Sequence, residues 1–330
     1  MKMKQGSIRT FVAACAVSVA ATAAWSETKW DLSIVWPEGN FHTQNAITFA
    51  NAVKDVTDGE VVITVHSGGA LGIKGPEGMA AVRDGLVPIA EILMNQQVGE
   101  APILGIETLP FLAPTFPDLA LLHKFFRPKL DEVAASMNQK ILYMVPWPGQ
   151  AVYAPNPINT VEDLKDLSIR VVDSNGNDFF GALGATPIQM PWGEVVPSLA
   201  AGTIKGVTTS SSSGVDGAFW EFTKYMSTFN WQASSNFMSV NLDAWNALPM
   251  ETRNKIEETA ADLEGQFWLN SRAEDEKKLA VLAKNGVEIS APSPELSRVL
   301  MEKSLPLWEA FKVRVPESAP IIDSYLTLRN

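Results

Sequence analysis

One cation stands where a soluble chain seldom places one. Arg170 lies in Ile169-Arg170-Val171-Val172, a β-branched apolar run of the kind that forms a strand covered on both faces. An unpaired guanidinium buried there would cost several kcal/mol, so Arg170 needs an anion, supplied either by a carboxylate of the protein or by that of a ligand. The planar fork of N–H groups suits both equally. Four tryptophans, Trp36, Trp147, Trp192 and Trp231, each fall at the end of an expected strand or the start of an expected helix. An open parallel sheet presents its crevice at those points; any single one of the four is more readily core, but all four being core is the less expected outcome. An arginine among indoles could hold a flat or partly apolar acid.

Other chemistries lack their residues. Cys15 is the only cysteine, and His42, His66 and His123 are far apart with no His-x-x-x-His spacing, so neither thiol chemistry nor a zinc site is supported. There is no Gly-x-Ser-x-Gly elbow, and His66-Ser67-Gly68-Gly69-Ala70-Leu71-Gly72 matches no phosphate-loop spacing. No enzyme, metal or cofactor is expected.

The elements that must position Arg170 alternate along the chain. Trp30 to Trp36 reads as a strand, the Ala46, Phe49, Ala50, Val53 spacing as a helix and Val61 to Val65 as a strand, which makes a βαβ unit. A strand over 86–93 leads to the uncharged polar loop Met94-Asn95-Gln96-Gln97. A helix follows over 118–137, then a buried strand over 141–147 that runs into Pro148-Gly149-Gln150. Strands at 168–172, 186–190 and 203–208 alternate with helices at 175–183 and 192–200. Ser210 to Ser213 reads as a polar loop. Pro249 opens a helical pattern that continues to Ala283, about 50 Å of helix and longer than one domain of this size requires. The expected fold is α/β: two domains of mainly parallel sheet joined by a long helix, with 27–147 plus 236–274 in the first and 148–235 plus 275–330 in the second.

Residues 1–26 carry Lys2, Lys4 and Arg9, then an apolar stretch to Ala24, as a secretory signal peptide does. Its cleavage would remove Cys15 and three positive charges from a chain whose net charge is already −11. An acidic chain with no basic cluster argues against nucleic acid and anionic membranes as partners. After the signal no apolar run is long enough to span a bilayer, so the mature form is expected to be soluble; export by the signal would place it in the periplasm, and a monomer is expected.

The runs L-S-I-R-V (167–171), F-F-G-A-L-G-A-T-P (179–187), M-P-W-G-E-V (190–195) and S-L-A-A-G-T-I-K-G-V (198–207) together resemble the solute-binding proteins of tripartite ATP-independent periplasmic (TRAP) transporters, of the C4-dicarboxylate type. The resemblance implies a two-domain fold that closes on an organic acid and delivers it to membrane permease subunits. It gives Arg170 the ligand carboxylate and Trp192 the stacking face. Thr209 stands where many members carry a ligand-contacting asparagine, and Gln150 where sialic-acid binders carry a second arginine. Asn95 and Gln96 replace a charged contact, and Trp36 falls near the acid of ectoine binders. Each replacement removes a charge. The expected ligand is therefore an aromatic or hydrophobic monocarboxylate or a 2-oxo acid, with dicarboxylates, sugar acids and sulfonates as the alternatives. Trp147, Trp231 and His42 complete the expected contacts. Presentation of a ligand to a sensor is the other role such a domain could have.

Overall fold

The computed structural model describes residues 27–329, so the expected signal peptide lies outside the described residues. The first half of the chain builds β1 (Thr28–Ser33), α1 (Phe41–Val56), β2 (Val61–His66), α2 (Gly78–Arg83), β3 (Ile89–Leu93), α3 (Phe116–Ser136) and β4 (Gln139–Pro146). It crosses to β5 (Ala151–Ala154), β6 (Ser168–Val171), α4 (Ser174–Ala182), β7 (Thr186–Gln189), α5 (Val195–Ala200), β8 (Gly206–Thr209), α6 (Ser211–Asp216) and β9 (Tyr225–Ser227). It then returns through β10 (Ser235–Asn241), α7 (Leu242–Asn246), α8 (Met250–Lys284), β11 (Glu288–Ser290), α9 (Pro294–Arg314) and α10 (Ala319–Arg329).

The strands form two sheets, ordered β2-β1-β3-β10-β4 and β11-β9-β5-β8-β6-β7. Each is parallel apart from one reversed strand, β10 in the first and β5 in the second, and these are the strands entered straight from a strand of the other sheet with no helix between. The reversal matters for the site. A reversed strand begins at the edge where its neighbours end, so residues just before β5 and β10 join those just after β1, β3, β4, β7 and β8 on one rim.

The two crossing segments pair with each other. Trp147 N–H donates to Ser234 O at 2.8 Å, Gln150 N–H to Gln232 O and Trp231 N–H to Gln150 O, both at 3.4 Å. The helix α8 packs on α1 and β4 of the first sheet's layer and on α6 and β11 of the second's, so its 35 residues tie the two together. The C-terminal helix α10 packs on α3, beside the first sheet. Ile322 and Tyr325 are buried there, and the Tyr325 hydroxyl donates to Leu112 O at 2.8 Å. The chain after α8 is thus shared between the layers, whereas the sequence division places 275–330 with the second.

The four-serine run is not the loop its composition suggests. Ser210 caps α6, its side chain accepting from Ser213 N–H, and Ser211 to Ser213 form the first turn with all four residues buried. A cap serine followed by buried serines is helix-compatible when the hydroxyls face protein rather than water.

Candidate functional site

Arg170 is 2% exposed on β6, between β8 and the edge strand β7 of the second sheet. Its Nε–H and Nη2–H both donate to Met190 O, at 3.1 and 3.0 Å, and Nη1–H donates to Thr208 O at 3.5 Å. Carbonyls just past β7 and on β8 therefore hold the fork, and two of its five N–H groups have no partner among the described residues. Among the described residues no carboxylate lies within ion-pair distance. Burial lowers the guanidinium pKa to about 10, with nearby Asp173 pulling it back up. Asp173 caps α4 through Gly176 N–H, and its own pKa is raised by burial, against hydrogen bonds that include Asn95. Asn95 Nδ2 reaches it from the first domain at 2.7 Å.

The cavity beside Arg170 is lined by Trp36, Leu93 and Trp147 from the first domain and by Gln150 and Ser234 from the crossing segments. Val172, Trp192, Thr209 and Ser213 come from the second. The topology explains the gathering: Trp36, Leu93, Trp147, Trp192 and Thr209 sit at or just past strand ends, and Gln150 and Ser234 precede the two reversed strands. Trp36 meets Trp147 edge-on at 4.6 Å between ring centres and Trp192 at 6.0 Å. The cavity is only about 20 Å³, room for one water-sized occupant. A larger chamber of about 600 Å³ opens on the other side of Trp192, lined in part by Gly68, Gly69, Gln96 and Asp216.

Six of the sequence candidates, Arg170, Trp192, Thr209, Gln150, Trp36 and Trp147, thus surround one cavity. The other four are placed differently. Asn95 is engaged by Asp173, and Gln96 lines the outer chamber. Trp231 stacks on Phe179 at 5.4 Å inside the second domain's core and donates to Thr208 Oγ1 at 2.7 Å. His42 lies behind the tryptophan wall, with Nδ1 2.7 Å from Glu91 Oε1.

Sequence reasoning passed over Glu91, Asp173, Ser213 and Ser234. A lone acid in Ile89-Ala90-Glu91-Ile92-Leu93 carries the same signal as Arg170 in its strand, a charge where both faces are covered. The serines offered no such signal.

The model of the DctP family, bacterial extracellular solute-binding protein family 7, matches residues 32–314. The chain belongs to this family. DctP6 of Bordetella pertussis, an extracytoplasmic solute receptor binding pyroglutamic acid, is 30% identical with a TM-score of 0.88, over 91% of this chain and 100% of that one. A marine metagenome TRAP solute-binding protein specific for pyroglutamate is 28% identical with a TM-score of 0.87, covering 92% and 99%. The 2,3-diketo-L-gulonate-binding periplasmic protein YiaO of Escherichia coli K12 is 27% identical over 248 residues, 73% of this chain and 74% of that protein. This DctP-family chain is accordingly a TRAP solute-binding protein of the periplasmic class, and not an enzyme.

Proposed function

We propose that this protein captures a compact monocarboxylate carrying one further neutral polar group, of the pyroglutamate or small 2-oxo acid kind, and passes it to TRAP permease subunits. The observation that carries the reading is Arg170: a buried guanidinium on the cavity wall with N–H groups to spare and no carboxylate of its own. One cation matches one carboxylate. The indole faces accept a flat body, and Gln150, Thr209, Ser213 and Ser234 can answer a carbonyl or an N–H.

Two neighbours of this fold at 28–30% identity are named for pyroglutamate, which fits this description. A cavity of about 20 Å³ cannot hold even so small an acid unless its walls part. The paired crossing segments and α8 are the connections about which the domains would open and close, so capture is coupled to hinge motion. Ligand contacts are assigned to Arg170, Trp36, Trp147, Trp192, Gln150 and Thr209. Asn95 acts on closure, and Gln96 lies on the approach. We assign residues 1–26 to a cleaved export signal and the mature form to a soluble monomer.

The test is a thermal-shift and calorimetric panel of pyroglutamate, 2-oxo acids, aromatic acids, dicarboxylates and sugar acids. A ligand of the folded state adds about 2.7 kcal/mol of stability at a hundredfold excess over Kd. Pyroglutamate or a 2-oxo acid should shift the wild type and not Arg170→Ala. A shift by sugar acids alone, or one that survives Arg170→Ala, would overturn the reading.

A further inference from the structure

Solute capture does not account for the buried acid Glu91. Glu91 is 5% exposed, in the middle of β3. Its Oε1 accepts from His42 Nδ1 and from Asn236 Nδ2, each at 2.7 Å. Its Oε2 accepts from Asn236 Nδ2 at 2.6 Å and from Trp36 Nε1–H at 3.2 Å. Asn236 in turn accepts from Trp147 Nε1–H through Oδ1 at 2.7 Å. Both first-domain indoles on the cavity wall therefore hang from one carboxylate, the first directly and the second through Asn236.

Two consequences follow for whatever lies in the cavity. The N–H groups of Trp36 and Trp147 are already engaged, so that wall offers faces and edges but no indole donor. Behind it stands an acid with no lysine or arginine within ion-pair distance among the described residues. Its one basic neighbour, His42, is joined through Nδ1, and the buried Nε2 has no partner.

We propose that Glu91 is a specificity-determining residue: lying behind Trp36 and Trp147, on the opposite domain from Arg170, it excludes a second anionic group and so selects monocarboxylates over dicarboxylates. This inference rests on the reading of the cavity as an organic-acid site. A ligand whose carboxylate meets Arg170 turns its far end toward the tryptophan wall. A neutral amide or carbonyl there can be answered by Gln150 or the lining hydroxyls, but a second carboxylate finds no counter-charge, only Glu91. At an effective dielectric near 20, like charges within about 10 Å of each other weaken binding more than tenfold. Discrimination is then achieved by repulsion as well as by fit.

The experiment pairs malonate, succinate and glutarate each with its own monoamide, which has nearly the same shape and one charge fewer. Each is titrated calorimetrically, in competition with whichever panel acid binds, into wild type and Glu91→Gln. The wild type should favour the monoamide by about tenfold or more, and Glu91→Gln should shrink that preference about tenfold, chiefly by gaining the diacid. Equal binding of diacid and monoamide by the wild type would overturn the proposal. So would a preference that Glu91→Gln leaves unchanged, or exclusion of the monoamides along with the diacids. Should Glu91→Gln not fold, Glu91→Asp takes its place and should keep the preference, whereas equal binding by the wild type still overturns the proposal. Failure of the organic-acid reading would look different: no acid of any charge would bind, and Arg170→Ala would behave as the wild type does.

Discussion

Asn95 of the first domain donates from Nδ2 to Asp173 Oδ2 of the second at 2.7 Å, three residues beyond the arginine on the cavity wall. Both residues are buried, so the bond forms out of water and its acceptor is a carboxylate. Such bonds contribute about 1.5–3 kcal/mol. Asn40 Nδ2 to Asp216 Oδ2 at 2.6 Å and Lys74 Nζ to Glu194 Oε1 at 3.4 Å also bridge the domains, the latter exposed and weak.

Asn95→Ala should therefore act on closure rather than on the ligand itself. We expect affinity for the bound acid to fall roughly tenfold to a hundredfold, within the range for one charge-assisted bond, and the loss to lie in the dissociation rate. Stopped-flow tryptophan fluorescence would read it. An unchanged dissociation rate would show that the bond is incidental to closure.

Replacing Arg170 separates a binding role from a structural one. With no carboxylate partner, Arg170→Met breaks no ion pair and removes a charge that burial penalises, at the loss of hydrogen bonds to Met190 O and Thr208 O. Without ligand, stability should change by less than about 2 kcal/mol, while binding falls by roughly 2–5 kcal/mol. Loss of about 3–5 kcal/mol of stability on denaturant titration would instead make the arginine a pillar of the fold.

Which parts of this were legible before any coordinates follows from what each residue signals. Arg170 stood out because its neighbours are β-branched, and Trp36, Trp147 and Trp192 because turns and strand ends flank them. Two mainly parallel sheets and a helix linking them could be read from alternation and from the length of the pattern after Pro249. The reversed strands could not, because direction within a sheet depends on which sheet a crossing segment enters. That uncertainty hid Ser234, which reaches the rim only because β10 runs backwards. Asn95 and Asp173 find each other across the domains, a relation no local pattern records. Glu91 was the exception: its signal was present in β3, and it was passed over for lying in an apolar strand without a motif.

Gly214 in α6 shows how closely the site's support is packed. A Cβ there would lie 2.2 Å from the Tyr153 hydroxyl, which donates to Ser210 O at 3.1 Å. Tyr153 is fully buried against Phe219, with ring centres 5.1 Å apart, so it cannot swing away. Gly214→Ala should cost about 1–3 kcal/mol and displace Ser213 from the cavity wall. A lowered Tm with weakened ligand binding is expected, and an unchanged Tm would mean that α6 shifts freely.

Asp216 gives the pH dependence. Burial raises its carboxyl pKa, against the opposing hydrogen bond from Asn40 and the nearby charge of Lys278; Glu274 adds to the rise and His42 opposes it. A raised folded value means that the native state takes up this proton before the unfolded chain does. Its contribution to stability therefore grows as pH falls through the raised value toward the ordinary carboxylate value, and is lost again as pH rises. Asp216→Asn keeps an acceptor for Asn40 and removes the titration. Relative to the wild type, the variant should be more stable at about pH 7 than at about pH 4, near the ordinary carboxylate value from which the shift starts. Thermal melts of both proteins at the two pH values measure it. A Tm difference that stays constant with pH would show that the Asp216 carboxylate is as well solvated in the fold as in the unfolded chain.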